Sequence, residues 1–411
     1  MYQKRRKILA NSLKENSILI LFSGKSKACS EDEYYPFVVN RNFYYFTGLT
    51  NENMILVIRN NNNVYSSVLF IEPFDPIQAR WVGGRISKDE AKKISEVELV
   101  KDVSEFNVYI SSTYNNNRYD EDFTVYLDFW KYSITNCETQ ASMFAKKLKS
   151  SYPQINLIDS FFKVTELRMI KDDYEIDCFK KANEITNNGL KAMMKYCKKG
   201  IIESELEKVF ELELAKQGCR ELSFPTIAAS GKNATILHYI DNDSICKDGD
   251  LFLCDLGGRF NKYCADISRT FPVNGKFTER QKEIYQVVLN AQKLVEKNAK
   301  PGLTTTDLNN MVKDYYEIEL PKIGLSKPVS EYYFHGVSHS IGLDCHDVVL
   351  QHGKTILIEG MVISNEPGLY ISDEEIGIRI EDDLQITSNG CCNLSKGIIK
   401  EIIDIEKFMN E

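Results

Sequence analysis

The sequence is poor in histidine and tryptophan, and it contains no long hydrophobic run. Of its 411 residues, five are histidine and two are tryptophan. No apolar segment approaches the roughly 18–20 residues that a membrane-spanning helix requires. The first residues also lack the apolar stretch and the small-residue cleavage site of a secretory signal. We therefore expect no association with a membrane and a location in the cytoplasm.

Broad basic patches and paired cysteines are also missing. The net charge is −8 and the estimated pI is 5.5, and the only basic block is Lys4–Lys7. Nucleic-acid binding normally requires an extended basic surface, so we expect no nucleic-acid partner. The eleven cysteines are an odd number without a CxxC pair, which indicates reduced and mostly buried thiols.

Two parts of the chain differ in their patterns, and the length exceeds that of a single average core. The first part alternates helical patterns with short apolar runs, namely Ser17–Phe22, Asn53–Ile58 and Ser67–Glu72. Such runs are typical of buried strands in an α/β domain. We predict a smaller α/β domain over residues 1–160 and a second domain over residues 161–411, joined near Asp159–Asp173.

The second part combines helical and strand-like patterns in an order that favours an α+β fold. The helical segments are Glu175–Gly200, Glu203–Gly218, Thr278–Lys300 and Thr304–Gly324. The strand-like segments are Asp250–Gly258, Lys262–Val273, Met361–Ile371 and Glu375–Thr387. We predict helices that cover a mostly antiparallel sheet.

Three of the five histidines lie in one short segment, Phe334–Val348, which reads FHGVSHSIGLDCHDV. They are His335, His339 and His346. Histidine is the usual side chain for binding a metal or moving a proton near neutral pH. A polar surface loop is the alternative interpretation.

Two aspartates lie in neighbouring strand-like runs. Asp255 and Asp266 flank a turn that contains Gly257 and Gly258, so they can lie on adjacent antiparallel strands with their carboxylates facing each other. An ionised carboxylate among apolar residues is costly unless it meets a cation. The alternative for either residue alone is an aspartate bonded to backbone amides of the turn.

Two glutamates follow a similar pattern. In EIGIRIEDD, Ile376, Ile378 and Ile380 share one face, whereas Arg379 and Glu381 share the other. This arrangement suggests the wall of a site, and the alternative is an amphipathic strand with a solvated face. Glu366 ends an apolar run before Pro367-Gly368, where a solvated strand end is the alternative.

Two aspartates, two glutamates and a histidine cluster supply more ligands than one ion needs. Oxygen-rich sites with an imidazole suit Mn²⁺, Co²⁺ or Zn²⁺. Two divalent ions about 3.5–4 Å apart are a standard means of activating a water and polarising a carbonyl. The sequence therefore indicates a dinuclear metal centre.

These residues, in this order, resemble the metal ligands of the pita-bread metallopeptidases. The stretches LHY (Leu237–Tyr239), HGVSHSIGLDCHD, EPGLY and GIRIEDD resemble aminopeptidase P in particular, and SEDEYYPFVVNRNFYYFTGL resembles the start of its amino-terminal domain. The resemblance covers nearly the whole chain. It implies a pita-bread catalytic domain, an antiparallel sheet with covering helices, preceded by the smaller α/β domain.

The resemblance also implies a role for each matching residue. The implied metal ligands are Asp255, Asp266, His339, Glu366 and Glu381, with Asp266 and Glu381 bridging both ions. The implied catalytic residues are His238, His335, His346, Glu366 and Arg379. Among these, Glu366 accepts the proton of a water, His335 and His346 stabilise the oxyanion, and Arg379 orients a carboxylate.

The implied activity is hydrolysis of the amino-terminal Xaa-Pro bond of peptides with two divalent cations, Mn²⁺ first and Co²⁺ or Zn²⁺ as alternatives. A prolidase acting on Xaa-Pro dipeptides is the second interpretation, and a non-catalytic binding protein of the same fold is the third. In relatives, the position of Asp32 can reach an active site across a subunit contact. We accordingly expect a homo-oligomer, a dimer or a tetramer, with peptides as the other partners.

Overall fold

The computed structural model describes residues 1–61, 64–117, 123–131 and 133–411. The chain divides into two compact units, Met1–Arg168 (unit 1) and Met169–Glu411 (unit 2). The domain boundary that the sequence indicates, between residues 160 and 161, lies a few residues before this division and stays a prediction. Among the described residues, no helix is long and apolar enough to cross a membrane.

Unit 1 is built on a six-stranded mixed sheet with the strand order β4-β3-β2-β1-β5-β6. The strands are β1 (Ser17–Phe22), β2 (Ile55–Asn61), β3 (Val64–Ile71), β4 (Leu99–Asp102), β5 (Thr124–Leu127) and β6 (Asn156–Asp159). The inner strands β1 and β2 pair antiparallel, and β5 pairs with β1 in parallel. Their side chains are almost wholly buried, which explains why the apolar runs hardly alternate.

Helices accompany this sheet along the chain. They are α1 (Tyr2–Ser12), α2 (Arg41–Thr47), α3 (Pro76–Val82), α4 (Lys88–Ser95), α5 (Phe106–Asn117), α6 (Gln140–Ser151) and α7 (Phe161–Met169). The start of α4 shows how the sequence sets a helix end, because Ser87 and Glu90 form a capping box. Unit 1 is therefore an α/β unit, as the sequence predicts.

Unit 2 contains four long helices and one terminal helix. They are α8 (Asp173–Tyr196), α9 (Glu203–Lys216), α10 (Glu279–Asn298), α11 (Thr305–Glu319) and α12 (Ile402–Asn410). Capping boxes begin α8 at Asp172, α10 at Thr278 and α11 at Thr304. Pro321 converts the end of α11 into a short 3₁₀ turn, Leu320–Ile323, because proline cannot donate the hydrogen bond that would continue the helix.

The strands of unit 2 pair antiparallel in small sheets. They are β7 (Ile227–Ser230), β8 (Leu251–Leu256), β9 (Arg259–Phe260), β10 (Tyr263–Cys264), β11 (Ile267–Pro272), β12 (Val362–Asn365), β13 (Gly368–Ile371), β14 (Ile376–Arg379), β15 (Asp382–Ile386) and β16 (Cys391–Asn393). The sheets have the orders β11-β8-β7, β12-β15-β16, β13-β14 and β10-β9. One large apolar cluster packs the helices against these strands.

The predicted α+β class is confirmed, but three predicted strands are each divided. Lys262–Val273 separates into β10 and β11 at Ala265-Asp266. Met361–Ile371 separates into β12 and β13 at Glu366-Pro367, and Glu375–Thr387 separates into β14 and β15 at Ile380-Glu381. All three divisions fall at predicted ligands. Ile378, Ile380, Arg379 and Glu381 are all at most 2 % exposed, so the interpretation as an amphipathic strand with a solvated face is wrong.

Candidate metal and active site

Strand ends bring the five predicted ligands to one place in unit 2. Asp255 lies on β8, Asp266 immediately precedes β11, Glu366 follows β12 and Glu381 connects β14 to β15. His339 lies on an irregular segment that pairs with β12 through Ser340 and Ile363. The register differs from the simplest expectation for the two aspartates, because Asp255 lies opposite Ser268 and not opposite Asp266.

His339 is held between two carboxylates. Its Nε2 lies 3.3 Å from Asp266 Oδ2 and 3.3 Å from Glu366 Oε1. Its Nδ1 lies 3.1 Å from the carbonyl oxygen of Ser340, which places a proton on Nδ1 and directs Nε2 at the carboxylates. His339 therefore has the orientation of a metal-binding imidazole.

Glu381 lies on the opposite side of Asp266. One ligand atom each of Asp266, His339 and Glu381 lies within 4.8 Å of the others, so the three can contact one ion. Glu381 Oε2 accepts a hydrogen bond of 2.7 Å from Ser268 Oγ. Its backbone N–H donates to the carbonyl of Ser268 at 3.0 Å, so β11 determines the position of this carboxylate.

Arg379 connects the predicted ligands to the histidine cluster. Its Nη2 donates to Asp255 Oδ2 at 2.7 Å and its Nε to Ser268 Oγ at 2.7 Å. Its Nη1 donates to Tyr370 Oη at 2.9 Å. A guanidinium with three fixed partners is a rigid support, because its planar donor geometry admits few arrangements.

His335 receives its orientation through Tyr370. The Tyr370 hydroxyl accepts from Arg379, so its own hydrogen is available to His335 Nε2 at 3.0 Å. The imidazole proton is then on Nδ1, which lies 2.8 Å from the Gly336 carbonyl and 3.9 Å from Glu366 Oε2. Burial and the Arg379 charge lower the pKa of His335 to about 3, which keeps the ring neutral.

The two other predicted histidines border this space from the exposed side. His346 places its ring 4.1 Å from the ring of His339, and burial together with the His339 charge lowers the pKa of His346 to about 4. The exposed His238 contributes to lowering the pKa of both His335 and His346. It therefore lies near both of them, although it lies about 100 residues earlier in the chain.

Buried Glu203 holds the segment that carries His238. Its carboxylate accepts hydrogen bonds from Ser230, Asn233, Tyr239 and the backbone of Ser244. Tyr239 is the neighbour of His238, so α9 fixes this segment through one carboxylate.

The predicted carboxylate ligands lie close enough together to repel one another. Burial and repulsion from Asp266 raise the pKa of Glu366 to about 7, and they also raise the pKa of Asp255 and of Glu381. Burial alone would lower the pKa of His339, but the hydrogen bond to Asp266 and the charge of Glu366 raise it to about 9. The raised carboxylate pKa values and the raised His339 pKa both indicate an excess of negative charge, which a bound cation would offset.

The donor set also fits divalent cations in its details. Asp255 Oδ1 is buried and has no hydrogen-bond partner among the described residues. A buried carboxylate oxygen without a donor is rare, and a bound cation explains it. Oxygen donors with one imidazole are what Mn²⁺, Co²⁺ or Zn²⁺ accept, so the residues fit the implied metals.

Sequence reasoning missed several residues that support the site. Ser268, Ser364, Tyr370 and Cys345 each contact a predicted ligand or histidine. Tyr370 and Cys345 lie inside the motifs EPGLY and GLDCHD. Their position next to predicted ligands and histidines could have identified them as site residues. Ser268 and Ser364 carry no signal of their own, because serine is common near strand ends.

The chain matches two known families. Residues 177–388 match metallopeptidase family M24, and residues 2–121 match the aminopeptidase P N-terminal domain. Together these matches cover most of both units.

Curated relatives match over nearly the whole chain. The Xaa-Pro aminopeptidase of Escherichia coli is 33% identical over 99% of this chain and 97% of its own length. The human Xaa-Pro aminopeptidase 3 is 28% identical over 96% of this chain and 81% of its own length.

Solved structures agree in the fold. A candidate aminopeptidase P from Bacillus anthracis has a TM-score of 0.96 and 42% identity, and it matches over 100% of this chain and 97% of its own. Escherichia coli aminopeptidase P with the inhibitor Pro-Leu has a TM-score of 0.89 and 32% identity over 100% of this chain and 97% of its own. The chain therefore belongs to metallopeptidase family M24 and is a metal-dependent exopeptidase of the aminopeptidase P group.

Proposed function

We propose that this chain removes the amino-terminal residue from peptides whose second residue is proline, with two Mn²⁺ ions at the site. The observation that carries the proposal is the convergence of Asp266, His339, Glu366 and Glu381, with Arg379 fixing Asp255 beside them. In support, the Escherichia coli relative is named for Xaa-Pro cleavage.

Five residues would hold the ions. Asp255, Asp266 and Glu381 would hold one ion, and Asp266, His339, Glu366 and Glu381 would hold the other. When bound, two divalent cations lower the pKa of a water and polarise the scissile carbonyl. The remaining steps depend on the side chains of this chain.

Glu366 is the proposed proton carrier. Its Oε1 lies 3.3 Å from His339 Nε2 and accepts a hydrogen bond from Ser364 Oγ. Its Oε2 lies 3.9 Å from His335 Nδ1. Glu366 therefore has one oxygen beside the proposed metal ligand His339 and the other beside His335. A carboxylate in this position can take a proton from water and pass it to the leaving nitrogen. That nitrogen belongs to proline, so it carries no hydrogen in the substrate.

The histidines are the proposed donors to the reacting carbonyl. The Tyr370 hydrogen bond leaves the proton of His335 on Nδ1, on the side of Glu366. His346 borders the site from the solvent side, next to His339, and His238 faces both. Donors that are already oriented stabilise a developing oxyanion without reorganisation.

A peptide panel tests the proposal. Ala-Pro-Ala should be cleaved in the presence of Mn²⁺, Ala-Ala-Ala should not, and a chelator should abolish cleavage. Faster cleavage of the dipeptide Ala-Pro than of Ala-Pro-Ala would instead support a prolidase. Binding of Ala-Pro-Ala without cleavage at saturating Mn²⁺ would support a non-catalytic binding protein.

We also propose that the protein is a cytoplasmic homo-oligomer, a dimer or a tetramer. Unit 1 exposes three apolar residues of α3, Ile77, Trp81 and Val82, by 71–85%, which is typical of a contact surface. The eleven cysteines are described as thiols and six of them are buried, as is usual in a reducing compartment. Light scattering tests the oligomeric state, and cell fractionation tests the location in the cytoplasm.

A further inference from the structure

Cys345 places a thiol against two of the proposed metal ligands. Its Sγ lies 2.9 Å from Asp266 Oδ2, and the same oxygen lies 3.3 Å from His339 Nε2. One ligand atom each of His339, Cys345 and His346 lies within 4.8 Å of the others. A site for hard cations has no need of a thiol, so this arrangement requires its own explanation.

The distances suit a tetrahedral ion. Nitrogen, oxygen and sulfur ligands about 2.0–2.3 Å from a tetrahedral ion are separated from one another by roughly 3.3–3.8 Å. The 3.3 Å between Asp266 Oδ2 and His339 Nε2 lies in this range. The 2.9 Å between Asp266 Oδ2 and Cys345 Sγ is shorter, so these two atoms would have to separate slightly. His346 offers a fourth donor, because one of its ring nitrogens lies within 4.8 Å of ligand atoms of His339 and Cys345.

The ligand atoms can also be reached from solvent. His346 is exposed, and Cys345 is half-buried. A cavity of about 280 Å³ is lined by His339, His346 and His352. A cation entering through this cavity would meet the two imidazoles before the deeper carboxylates.

The chemistry of the four donors differs from that of the carboxylate set. A thiolate with two imidazoles and one carboxylate selects soft or borderline cations, whereas oxygen-rich sites select hard ones. Among the described residues, no other cysteine belongs to a group of three or more candidate ligands. The preference for soft cations is therefore specific to this position.

We propose that Asp266, His339, Cys345 and His346 form an alternative coordination set that captures a thiophilic divalent cation, Zn²⁺ or Cd²⁺, and removes Asp266 and His339 from the catalytic set. Formation of the sulfur–metal bond releases the Cys345 proton to solvent, so no oxidant or reductant is involved. Excess Zn²⁺ or Cd²⁺ would then inhibit the enzyme, whereas Mn²⁺ would not. The expected inhibition rests on the proposed function, whereas the binding of the cation by these four residues does not.

Titration of the Mn²⁺-loaded protein with Cd²⁺ tests the inference. The thiolate-to-cadmium absorption in the ultraviolet is recorded together with the residual cleavage of Ala-Pro-Ala. We expect one saturable absorption increment per chain in the parent that is missing in Cys345→Ser. Serine retains a donor for Asp266 but is a poor ligand for a soft cation. His346→Ala should weaken this cadmium binding by at least about tenfold.

Two comparisons make the result decisive. Cys392→Ala removes an exposed thiol on β16 and should retain the full increment, and Cys345→Ala serves if the serine variant fails to fold. An identical increment in Cys345→Ser and parent would overturn the inference. Full activity of the parent with the increment saturated would equally overturn it. If the parent cleaves no Xaa-Pro peptide, the proposed function fails, but the absorption still decides whether the coordination set exists.

Discussion

Asp266 contacts groups from three other parts of unit 2. Its side chain faces His339 and Cys345, and its backbone N–H donates to Asp383 Oδ2 at 3.4 Å. Only 3 % of the residue is exposed. Its charge therefore acts on every neighbouring group with little screening by solvent.

Replacing Asp266 by asparagine should abolish both metal retention and turnover. The amide keeps the size of the side chain but removes the charge that lies between the two ion positions. We expect turnover to fall at least about 100-fold and the number of ions per chain to decrease. Asp177→Asn is the control, because Asp177 is an exposed residue on α8. Two ions per chain and a normal rate in Asp266→Asn would contradict the assignment.

Glu366→Gln separates proton transfer from metal binding. The amide oxygen can still contact a cation, but it cannot accept a proton from water. At saturating Mn²⁺, kcat should fall by ~10²–10⁴, the usual contribution of a positioned acid or base. Ser364→Ala, which removes the hydrogen bond to Glu366 Oε1, should have a much smaller effect. Activity of Glu366→Gln within about tenfold of the parent would exclude this role.

At the scale of elements, the hairpin that joins β8 to β11 sets the distance between Asp255 and Asp266. Its turn is at Asn261-Lys262, and Gly257 directly follows β8, where a Cβ atom would stand 1.9 Å from the carbonyl oxygen of Ala265. Backbone is on both sides of this contact, so neither side can yield without moving the strands. Ala265 directly precedes Asp266, so the packing at Gly257 and the geometry of the site are coupled.

Gly257→Ala should therefore destabilise unit 2 and weaken metal binding. Overpacking of this kind typically costs about 1–3 kcal/mol. The matched control is Gly397→Ala, because a Cβ at Gly397 would meet nothing within 4 Å. Thermal unfolding and metal analysis of both variants provide the test. Equal melting temperatures and equal metal content in the two variants would show that the backbone at Gly257 tolerates the added Cβ atom.

At the scale of the whole molecule, the metals should contribute to stability and not only to catalysis. Asp266 and Glu381 are buried and Asp255 and Glu366 are half-buried, and the mutual repulsion of these carboxylates is relieved when a cation binds. A ligand at 100 times its dissociation constant adds about 2.7 kcal/mol to the free energy of unfolding. Unit 1 contains none of these four residues.

Chelation should accordingly lower the melting temperature of unit 2 more than that of unit 1. Calorimetry of chelator-treated and Mn²⁺-saturated protein measures both transitions. Asp266→Asn should show a much smaller difference between the two states, because its metal sites are impaired. A metal-independent melting profile for the parent protein would contradict a stabilising role of the ions.

The sequence by itself determined the elements and the identity of the chemical groups. Helix ends followed from local capping residues such as Thr278 and Thr304, and buried strands followed from apolar runs such as Ser17–Phe22. These features depend on neighbours within a few residues, which the sequence shows directly. The resemblance added the motifs that contain the candidate ligands.

Only the tertiary structure decided how these groups meet. The register of β8 and β11 places Asp255 opposite Ser268, and register depends on the packing of the whole hairpin. Arg379 and Asp255 are 124 residues apart in the chain, and Cys345 and Asp266 are 79 residues apart. Contacts at such separations depend on how the sheets of unit 2 fold together, and no local pattern encodes them. For this reason the sequence could indicate a metal centre, but not the contact of the Cys345 thiol with Asp266.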